Sequence, residues 1–226
     1  MPRKTVPSTG DLEKIGPYLF TQKGAGQKLT ADSVLLADFL PPLNESDNII
    51  EIGSGSGALL LLLAWKTKAL KIAGAEIEKE AASVAAGNIE LNSLSERVSV
   101  INGDYRELPN VFAEGSFKVV VSNPPYMKKG SGRISPKKER ALARSEIAGG
   151  LEDLIKISKY LIGDNGKIFY VFPVSRLFEM LNRLKGAGLK PLRLKFVRTS
   201  ALRPAKVFLI EAGRQGELKI EEDIYL

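Results

Sequence analysis

Two residue types that often carry catalysis are missing from this 226-residue chain, which has no histidine and no cysteine. Without histidine there is no Ser-His-Asp catalysis, no imidazole general base and no histidine-ligated zinc. Without cysteine there are no disulfides, no thiolate metal sites and no thiol nucleophiles. We therefore expect no metal site, and any chemistry must proceed without an imidazole or a thiol.

Long apolar runs are also missing. The longest, residues 58–65, is too short to span a bilayer and is typical of a buried helix. Residues 1–10 lack the apolar segment of a signal peptide. These features predict a cytoplasmic protein that does not associate with a membrane, and the chain length fits one globular domain.

Basic residues are in excess, with 33 Lys and Arg against 26 Asp and Glu. Residues 183–206 contain eight bases and no acid, and residues 127–144 contain seven bases and one acid. A solvated surface explains either stretch alone, whereas the two together favour a nucleic-acid partner. The candidate RNA-binding residues of the 127–144 stretch are Lys128, Lys129, Arg133, Lys137, Lys138, Arg140 and Arg144.

From residue 48 onwards, apolar strand patterns alternate with helical patterns. This alternation predicts an α/β fold with a parallel, doubly wound sheet. The last two strands have no helix between them and should pair as an antiparallel hairpin. Residues 1–17 are predicted to be a frayed arm. The predicted strands are 48–52, 71–77, 98–102, 117–121, 166–172, 191–198 and 206–212, and the predicted helices are 31–40, 58–68, 78–92, 147–161 and 175–185.

A glycine-rich loop, Gly53-Ser54-Gly55-Ser56-Gly57, follows the first of these strands and opens a helix. Glycine allows a sharp turn and a close approach of the backbone to a ligand, and the helix N–H groups face that ligand. Gly53, Ser54 and Gly55, with Glu51 just before them, are therefore candidate cofactor contacts.

Acidic residues end the next two predicted strands. Glu76 is suited to accept hydrogen bonds from both hydroxyls of a ribose, and Asp104 from an adenine amino group. Ile77 and Tyr105, which follow these two acids, are also candidate cofactor contacts. Glu51 would repel a pyrophosphate but suits an ammonium group. S-adenosylmethionine carries a ribose, an adenine amino group and an ammonium group, so it fits these three acids better than a dinucleotide does. A dinucleotide oxidoreductase remains an alternative, as does the possibility that these acids only cap turns.

The sequence Asn123-Pro124-Pro125-Tyr126 ends the strand at 117–121. The prolines force the chain out of the sheet at the edge where α/β proteins bind ligands. The Asn123 side-chain oxygen and the Pro124 carbonyl can each accept one N–H of a planar amino group, and Tyr126 can stack on its ring. We predict Asn123, Pro124, Pro125 and Tyr126 as catalytic residues, with Asn123 also beside the cofactor. Thr30 either caps the 31–40 helix or contacts the cofactor.

With these motifs in order, the chain resembles the class I S-adenosylmethionine-dependent methyltransferases that carry an Asn-Pro-Pro-Tyr motif. It is most similar to the tRNA(Val) adenine-N6 methyltransferase family, in residues 20–37, 75–78, 141–146, 203–207 and 224–225. The resemblance implies a Rossmann-like fold with a mostly parallel seven-stranded sheet and an antiparallel C-terminal hairpin. In it, residues 1–45 form an arm and helix that complete the cofactor pocket, and residues 46–226 form the methyltransferase domain.

The activity implied by the resemblance is methyl transfer from S-adenosylmethionine to the exocyclic N6 of an adenine in tRNA or another structured RNA. A methyltransferase acting on another RNA, a protein glutamine N5-methyltransferase and a non-catalytic RNA-binding module are the alternatives. The glutamine enzymes resemble this chain in the motif, but they usually carry a helical domain before the glycine loop. The roughly fifty residues that precede the loop here are too few for that domain.

Overall fold

The computed structural model of the protein describes residues 12–21, 29–124 and 150–226. Within them, two short 3-10 helices, Tyr105–Asn110 and Val174–Arg176, accompany the helices and strands. The helices are α1 (Ala31–Phe39), α2 (Ala58–Lys66), α3 (Lys79–Leu91), α4 (Leu151–Leu161) and α5 (Leu177–Gly186). The strands are β1 (Glu13–Ile15), β2 (Tyr18–Phe20), β3 (Asn48–Ile52), β4 (Lys71–Glu76), β5 (Val98–Asn102), β6 (Phe117–Ser122), β7 (Ile162–Pro173), β8 (Lys190–Arg198), β9 (Val207–Gly213), β10 (Lys219–Ile220) and β11 (Ile224–Tyr225).

The main sheet has the strand order β5-β4-β3-β6-β7-β9-β8, with the two-residue strands β10 and β11 beside β8. Strands β5, β4, β3, β6 and β7 are parallel, and β9 is antiparallel to both β7 and β8. The predicted α/β fold, the mostly parallel sheet and the C-terminal hairpin are confirmed. The sequence patterns missed β10 and β11, which are too short to produce a periodic signal.

Strand order reverses around β3, which lies between β4 and β6. In open α/β sheets such a switch point leaves a crevice at the carboxyl ends of the central strands, and ligands bind there. The core residues of β3, Ile49, Ile50 and Ile52, are at most 2% exposed because helices cover both faces of the sheet. This burial explains why β3 appears in the sequence as a nearly continuous apolar run.

The two faces of the sheet carry separate apolar cores. Helices α1, α2 and Ile89 of α3 pack in one core, and α4, α5 and the 3-10 helix Tyr105–Asn110 pack in the other. Alternate residues of β7 serve the two sides, with Phe169 in the first core and Tyr170 in the second. Among the described residues, no helix is long and apolar enough to cross a membrane.

The N-terminal segment contains a β-hairpin that the sequence analysis missed. We predicted a frayed arm over residues 1–17, but β1 pairs with β2 in antiparallel register. Two asparagines of α3 hold the hairpin as a neighbouring strand would. The Asn88 carboxamide bonds both the N–H and the C=O of Thr21 at 2.9 Å, and Asn92 bonds the same groups of Leu19 at 2.8 and 2.7 Å.

Candidate active site

Three neighbouring parallel strands, β3, β4 and β6, end at the same edge of the sheet. β3 leads into the glycine loop at Gly53, β4 ends with Glu76, and β6 is followed directly by Asn123. The residues that the sequence analysis selected at these three strand ends are therefore brought to one crevice.

The glycine loop folds back against β4. The N–H groups of Gly53 and Ser54 both donate to the carbonyl of Ala75, at 2.8 and 3.1 Å. Gly53 and Gly55 have φ values of 78° and 55°, in the left-handed region that favours glycine. On β4, a Cβ at Gly74 would lie 2.9 Å from the Ser54 hydroxyl oxygen, so only glycine permits this close packing.

Glu76 is buried in the crevice and accepts hydrogen bonds from two backbone segments that border it. Its Oε2 accepts from Gly55 N at 2.7 Å, and its Oε1 accepts from Glu78 N at 2.8 Å. Burial raises the pKa of this carboxyl, although the two amide bonds oppose the change. Behind it, Asn102 Nδ2 donates to the Glu76 carbonyl at 2.9 Å. Each carboxylate oxygen has a second lone pair, so Glu76 can hold the loop and still accept from a ligand.

Glu51 lies deeper, at 3% exposure, and its Oε2 has no hydrogen-bond partner in the described part of the chain. The buried Ser54 hydroxyl lacks a partner there as well. Burial, with the charge of Glu76 as a second cause, raises the pKa of Glu51 well above its ordinary value. Buried polar atoms without partners are rare in folded proteins. Two in one crevice indicate that a polar ligand could bind there, and a buried carboxyl without a cation is suited to a cationic group.

The first turn of α1 holds the Asn123 side chain in position. Its Nδ2 donates to Ser33 Oγ at 2.9 Å and lies 3.4 Å from Thr30 Oγ1. Thr30 is also the N-cap of α1, since its Oγ1 accepts from Ser33 N at 3.3 Å. The nitrogen end of the carboxamide therefore faces α1.

Buried hydrogen bonds that the sequence analysis did not anticipate fix the positions of these loops. Ser122 Oγ donates to the carbonyl of Ile52 at 2.7 Å and joins the ends of β6 and β3. Asn88 Nδ2 donates to the carbonyl of Ser56 at 2.9 Å and joins α3 to the glycine loop. The partners lie far apart in the chain. Of the residues that we missed, only Ser33 had a local signal, namely its position three residues after a predicted N-cap.

Asp104 has a different environment from the other two acids. It caps the 3-10 helix Tyr105–Asn110 by accepting from Arg106 N at 2.9 Å, and it forms an ion pair with the Arg106 guanidinium at 2.6 Å. The Arg106 hydrogen bond lowers the pKa of Asp104. Burial, with the charge of Asp153 as a second cause, raises the pKa of Tyr105 to about 12. Asp104 thus has the turn-capping role that the sequence left open, and its contact with adenine stays a prediction.

Some predicted site residues lie outside the described residues, namely Pro125, Tyr126 and all seven basic residues of the 127–144 stretch. Pro124 is the last residue described before this gap. Ile77, the residue that follows β4, is 41% exposed. In residues 12–21, 29–124 and 150–226 there is no cluster of acids that could hold a metal ion.

A second cleft, of about 430 Å³, lies at the carboxyl end of α1. Its charged groups already have partners. Arg193 donates to the carbonyl of Phe39 at 2.7 Å and forms ion pairs with Glu211 and Glu221, and Lys195 lies 3.4 Å from Glu221. This network fastens α1 to β8, so the cleft secures the helix whose other end contacts Asn123.

Comparison with known proteins agrees with the crevice chemistry. A family model described as "Methyltransferase small domain" matches residues 24–144. A protein from Porphyromonas gingivalis named tRNA1(Val) (adenine(37)-N6)-methyltransferase is 29% identical over 89% of this chain and 80% of its own length. A protein of the same name from Erwinia tasmaniensis is 31% identical over 88% of this chain and 81% of its own length.

Solved structures share the fold at low sequence identity. A predicted O-methyltransferase from Agrobacterium tumefaciens has a TM-score of 0.68 at 20% identity, covering 86% of each chain. Geranyl diphosphate C-methyltransferase from Streptomyces coelicolor, solved with S-adenosyl-L-homocysteine, has a TM-score of 0.62 at 14% identity, covering 82% of this chain and 79% of its own. The family model spans more than half of the sequence. The chain therefore belongs to the methyltransferase small domain family.

Proposed function

We propose that this protein transfers the methyl group of S-adenosylmethionine to the exocyclic N6 of an adenine in tRNA, in the cytoplasm. Adenine 37 of tRNA1(Val), the target in the names of its relatives, is the first site to test. The observation that carries the proposal is the buried Asn123 carboxamide. It lies in the same crevice as the glycine loop and two buried carboxyls, and its nitrogen donates to Ser33 of α1.

The crevice residues fit the cofactor group by group. Glu51 has an unpartnered buried oxygen that suits the ammonium of S-adenosylmethionine, and the arriving positive charge would restore the ionised carboxylate. Glu76 retains lone pairs for the ribose hydroxyls. Because the loop glycines have no side chains, the ligand can come close to the loop backbone. When bound, the cofactor supplies an electrophilic methyl group.

Asn123 and Pro124 supply the chemistry on the acceptor side. The amino group of adenine is a poor nucleophile because its lone pair is delocalised into the ring. Hydrogen bonds from its two N–H groups to Asn123 Oδ1 and the Pro124 carbonyl would favour a pyramidal nitrogen and stabilise the positive charge that develops on it. The N6 proton becomes acidic as the new C–N bond forms, so water can take it and no imidazole is needed.

The contact with α1 determines whether the oxygen end or the nitrogen end of the Asn123 carboxamide meets the substrate. With Nδ2 donating to Ser33 Oγ, the oxygen is the end of the carboxamide that we assign to the amino group. A flipped carboxamide would point N–H donors at the N–H groups of the adenine and repel them. We therefore assign Ser33, with the N-cap Thr30, as residues that position Asn123.

The experiment is a transfer assay with labelled S-adenosylmethionine and unmodified tRNA, followed by nucleoside mass spectrometry. The proposal expects N6-methyladenosine at a single position. Methyl transfer to a glutamine of a release factor, with none to RNA, would overturn it in favour of the protein alternative. A tRNA in which the target adenine is replaced by guanine is the matched control.

A further inference from the structure

The eight basic residues between positions 183 and 206 fall into two groups. Four of them form ion pairs with acids elsewhere in the fold: Arg183 with Glu152, Arg193 with Glu211, Lys195 with Glu221, and Arg198 with Asp223. The other four have no acidic partner in the described part of the chain, and they are Lys185, Lys190, Arg203 and Lys206. Only this second group can meet an anionic partner without breaking an existing ion pair.

These unpaired bases lie at opposite ends of the strands of the sheet. Lys190 pairs in register with Gly213, at the edge remote from the crevice. Arg203 and Lys206 lie in the loop between β8 and β9, at the other edge. There, the start of β9 pairs with Pro173 at the end of β7, the parallel neighbour of β6. The unpaired charge of this hairpin loop is therefore on the side of the sheet where β6 leads into Asn123.

Two exposed apolar side chains accompany these bases. Leu202, beside Arg203, is 98% exposed, and Phe178 is 79% exposed. Phe178 is in the first turn of α5, whose packed face buries Met180 instead. The 3-10 helix that precedes α5 contacts the hairpin loop directly, since Val174 N donates to the carbonyl of Lys206 at 3.0 Å. The exposed phenyl ring and the unpaired bases thus belong to adjoining segments.

We propose that Phe178, Leu202, Arg203 and Lys206 form an RNA-binding surface, the edge patch, for the nucleotides that flank the target adenine. Phe178 stacks on a base, Leu202 covers an apolar ring face, and the two cations bind phosphates. The inference rests on the proposed function and names how its substrate is held. RNA fits this surface because it combines ring faces with phosphate charge, and the hairpin loop offers cations and no acid.

The edge patch is within reach of the crevice. Tyr170 of β7 pairs with Ser122, and β7 continues to Pro173. At about 3.3 Å per residue, these further residues carry the chain about 10 Å beyond the level of Ser122. One RNA loop can therefore place its target base at Asn123 while its neighbouring nucleotides contact the edge patch.

The test compares matched variants of the full chain. Its RNA probe is a fluorescently labelled, unmodified anticodon stem-loop with adenine at position 37. We expect Phe178→Ala to raise the dissociation constant for RNA about 10-fold, and Phe178→Leu, which keeps apolar bulk without a flat ring, to recover little of the loss. We expect the double variant Arg203→Ser/Lys206→Ser to weaken binding and to reduce the salt slope of log K by about 1.4. The control is Lys185→Ser/Lys190→Ser, which removes equal charge away from the crevice and should change binding less than about twofold.

The possible outcomes separate this inference from the proposed function. If the wild-type protein forms N6-methyladenosine and the Phe178 and Arg203/Lys206 variants bind RNA normally, the edge patch is wrong while the reaction stands. If the control weakens binding as much as the Arg203/Lys206 variant, the effect is general electrostatics and the edge patch is again wrong. If the variants lose RNA binding although wild type forms no N6-methyladenosine, the reaction is wrong and the edge patch stands. If wild type neither binds nor methylates RNA, both fall.

Discussion

At the ends of β3 and β4 the crevice is held mainly by hydrogen bonds of the glycine-loop backbone, whereas at the end of β6 the Asn123 side chain is held by a side chain of α1. The glycine loop bonds to the Ala75 carbonyl and to the Glu76 carboxylate, both close to it in the sheet. Asn123 depends on Ser33, which lies 90 positions away in the chain. The first region is built by neighbouring strands together with Asn88 of α3, and the second forms only when α1 is docked.

This difference suggests a division of work. The glycine-loop region contains the buried carboxyls and the unpartnered polar atoms, so changes there should alter cofactor affinity. The region around Asn123 contains the amide that we propose to face the acceptor, so changes there should alter the transfer rate while cofactor affinity remains. Cofactor affinity and transfer rate, both measured for substitutions in each region, test this prediction.

Asn123→Ala should have the largest effect. Removing the acceptor that stabilises the developing charge should lower kcat about 10²- to 10³-fold. The dissociation constant for S-adenosylmethionine, measured by calorimetry, should stay within about twofold because the glycine-loop contacts remain. Asn182→Ala, at an exposed asparagine of α5, is the control. Full activity in the Asn123 variant would refute its catalytic role.

Glu51→Gln should act on the other side of the crevice. Loss of a charge-assisted bond to the ammonium should raise the dissociation constant for S-adenosylmethionine about 10- to 100-fold. The rate at saturating cofactor should change little, which single-turnover kinetics can measure. An unchanged affinity would contradict the assignment of Glu51 to the ammonium group.

Ser33→Ala should have a smaller effect on transfer. Without the hydroxyl that holds Nδ2, the Asn123 carboxamide can flip and present its N–H groups to the substrate, so we expect kcat to fall about 10-fold. The KM for S-adenosylmethionine should stay constant. Ser33→Thr, which retains the hydroxyl, should restore most of the rate. An equal loss in both variants would point to a packing defect and not to positioning.

Asp104→Asn should change cofactor binding less than Glu51→Gln does, by less than about fivefold. Asp104 is only partly buried, already shares its carboxylate with Arg106, and can be replaced as a helix cap by asparagine. A titration with S-adenosylmethionine tests this. A loss larger than that of Glu51→Gln would make Asp104 the principal cofactor acid and reverse the comparison between the two residues.

The pH dependence of stability gives the smallest signal, a shift of a few degrees in Tm. The pKa of Glu51 is raised in the folded protein from its ordinary value of 4.5, so the folded state binds more protons than the unfolded state above that pH. Stability of the cofactor-free protein should therefore fall as the pH rises from 4.5 through the raised pKa. Calorimetry of Glu51→Gln should show a weaker decline, and identical profiles would contradict this account of the buried carboxyl.

The sequence was sufficient to predict the alternating strands and helices because each apolar run indicates a buried element. Periodicity also located Glu76 and Asn123 at strand ends, and the strand order then brought them together. It could not reveal the β1–β2 hairpin, whose anchors are the side-chain amides of Asn88 and Asn92 on a distant helix. The Ser33–Asn123 contact was invisible for the same reason, since no local pattern connects residues 90 positions apart.

The dependence of Asn123 on α1 has a consequence for the order of folding. Helix α1 leaves the ribosome well before β6, so its first turn has no carboxamide to contact until the central strands have paired. Contacts between distant parts of a chain form slowly, since the intervening segment must first be ordered. We expect the cofactor-binding half of the crevice to mature first and the acceptor half last. A nascent or partly folded chain would then bind S-adenosylmethionine before it could methylate anything.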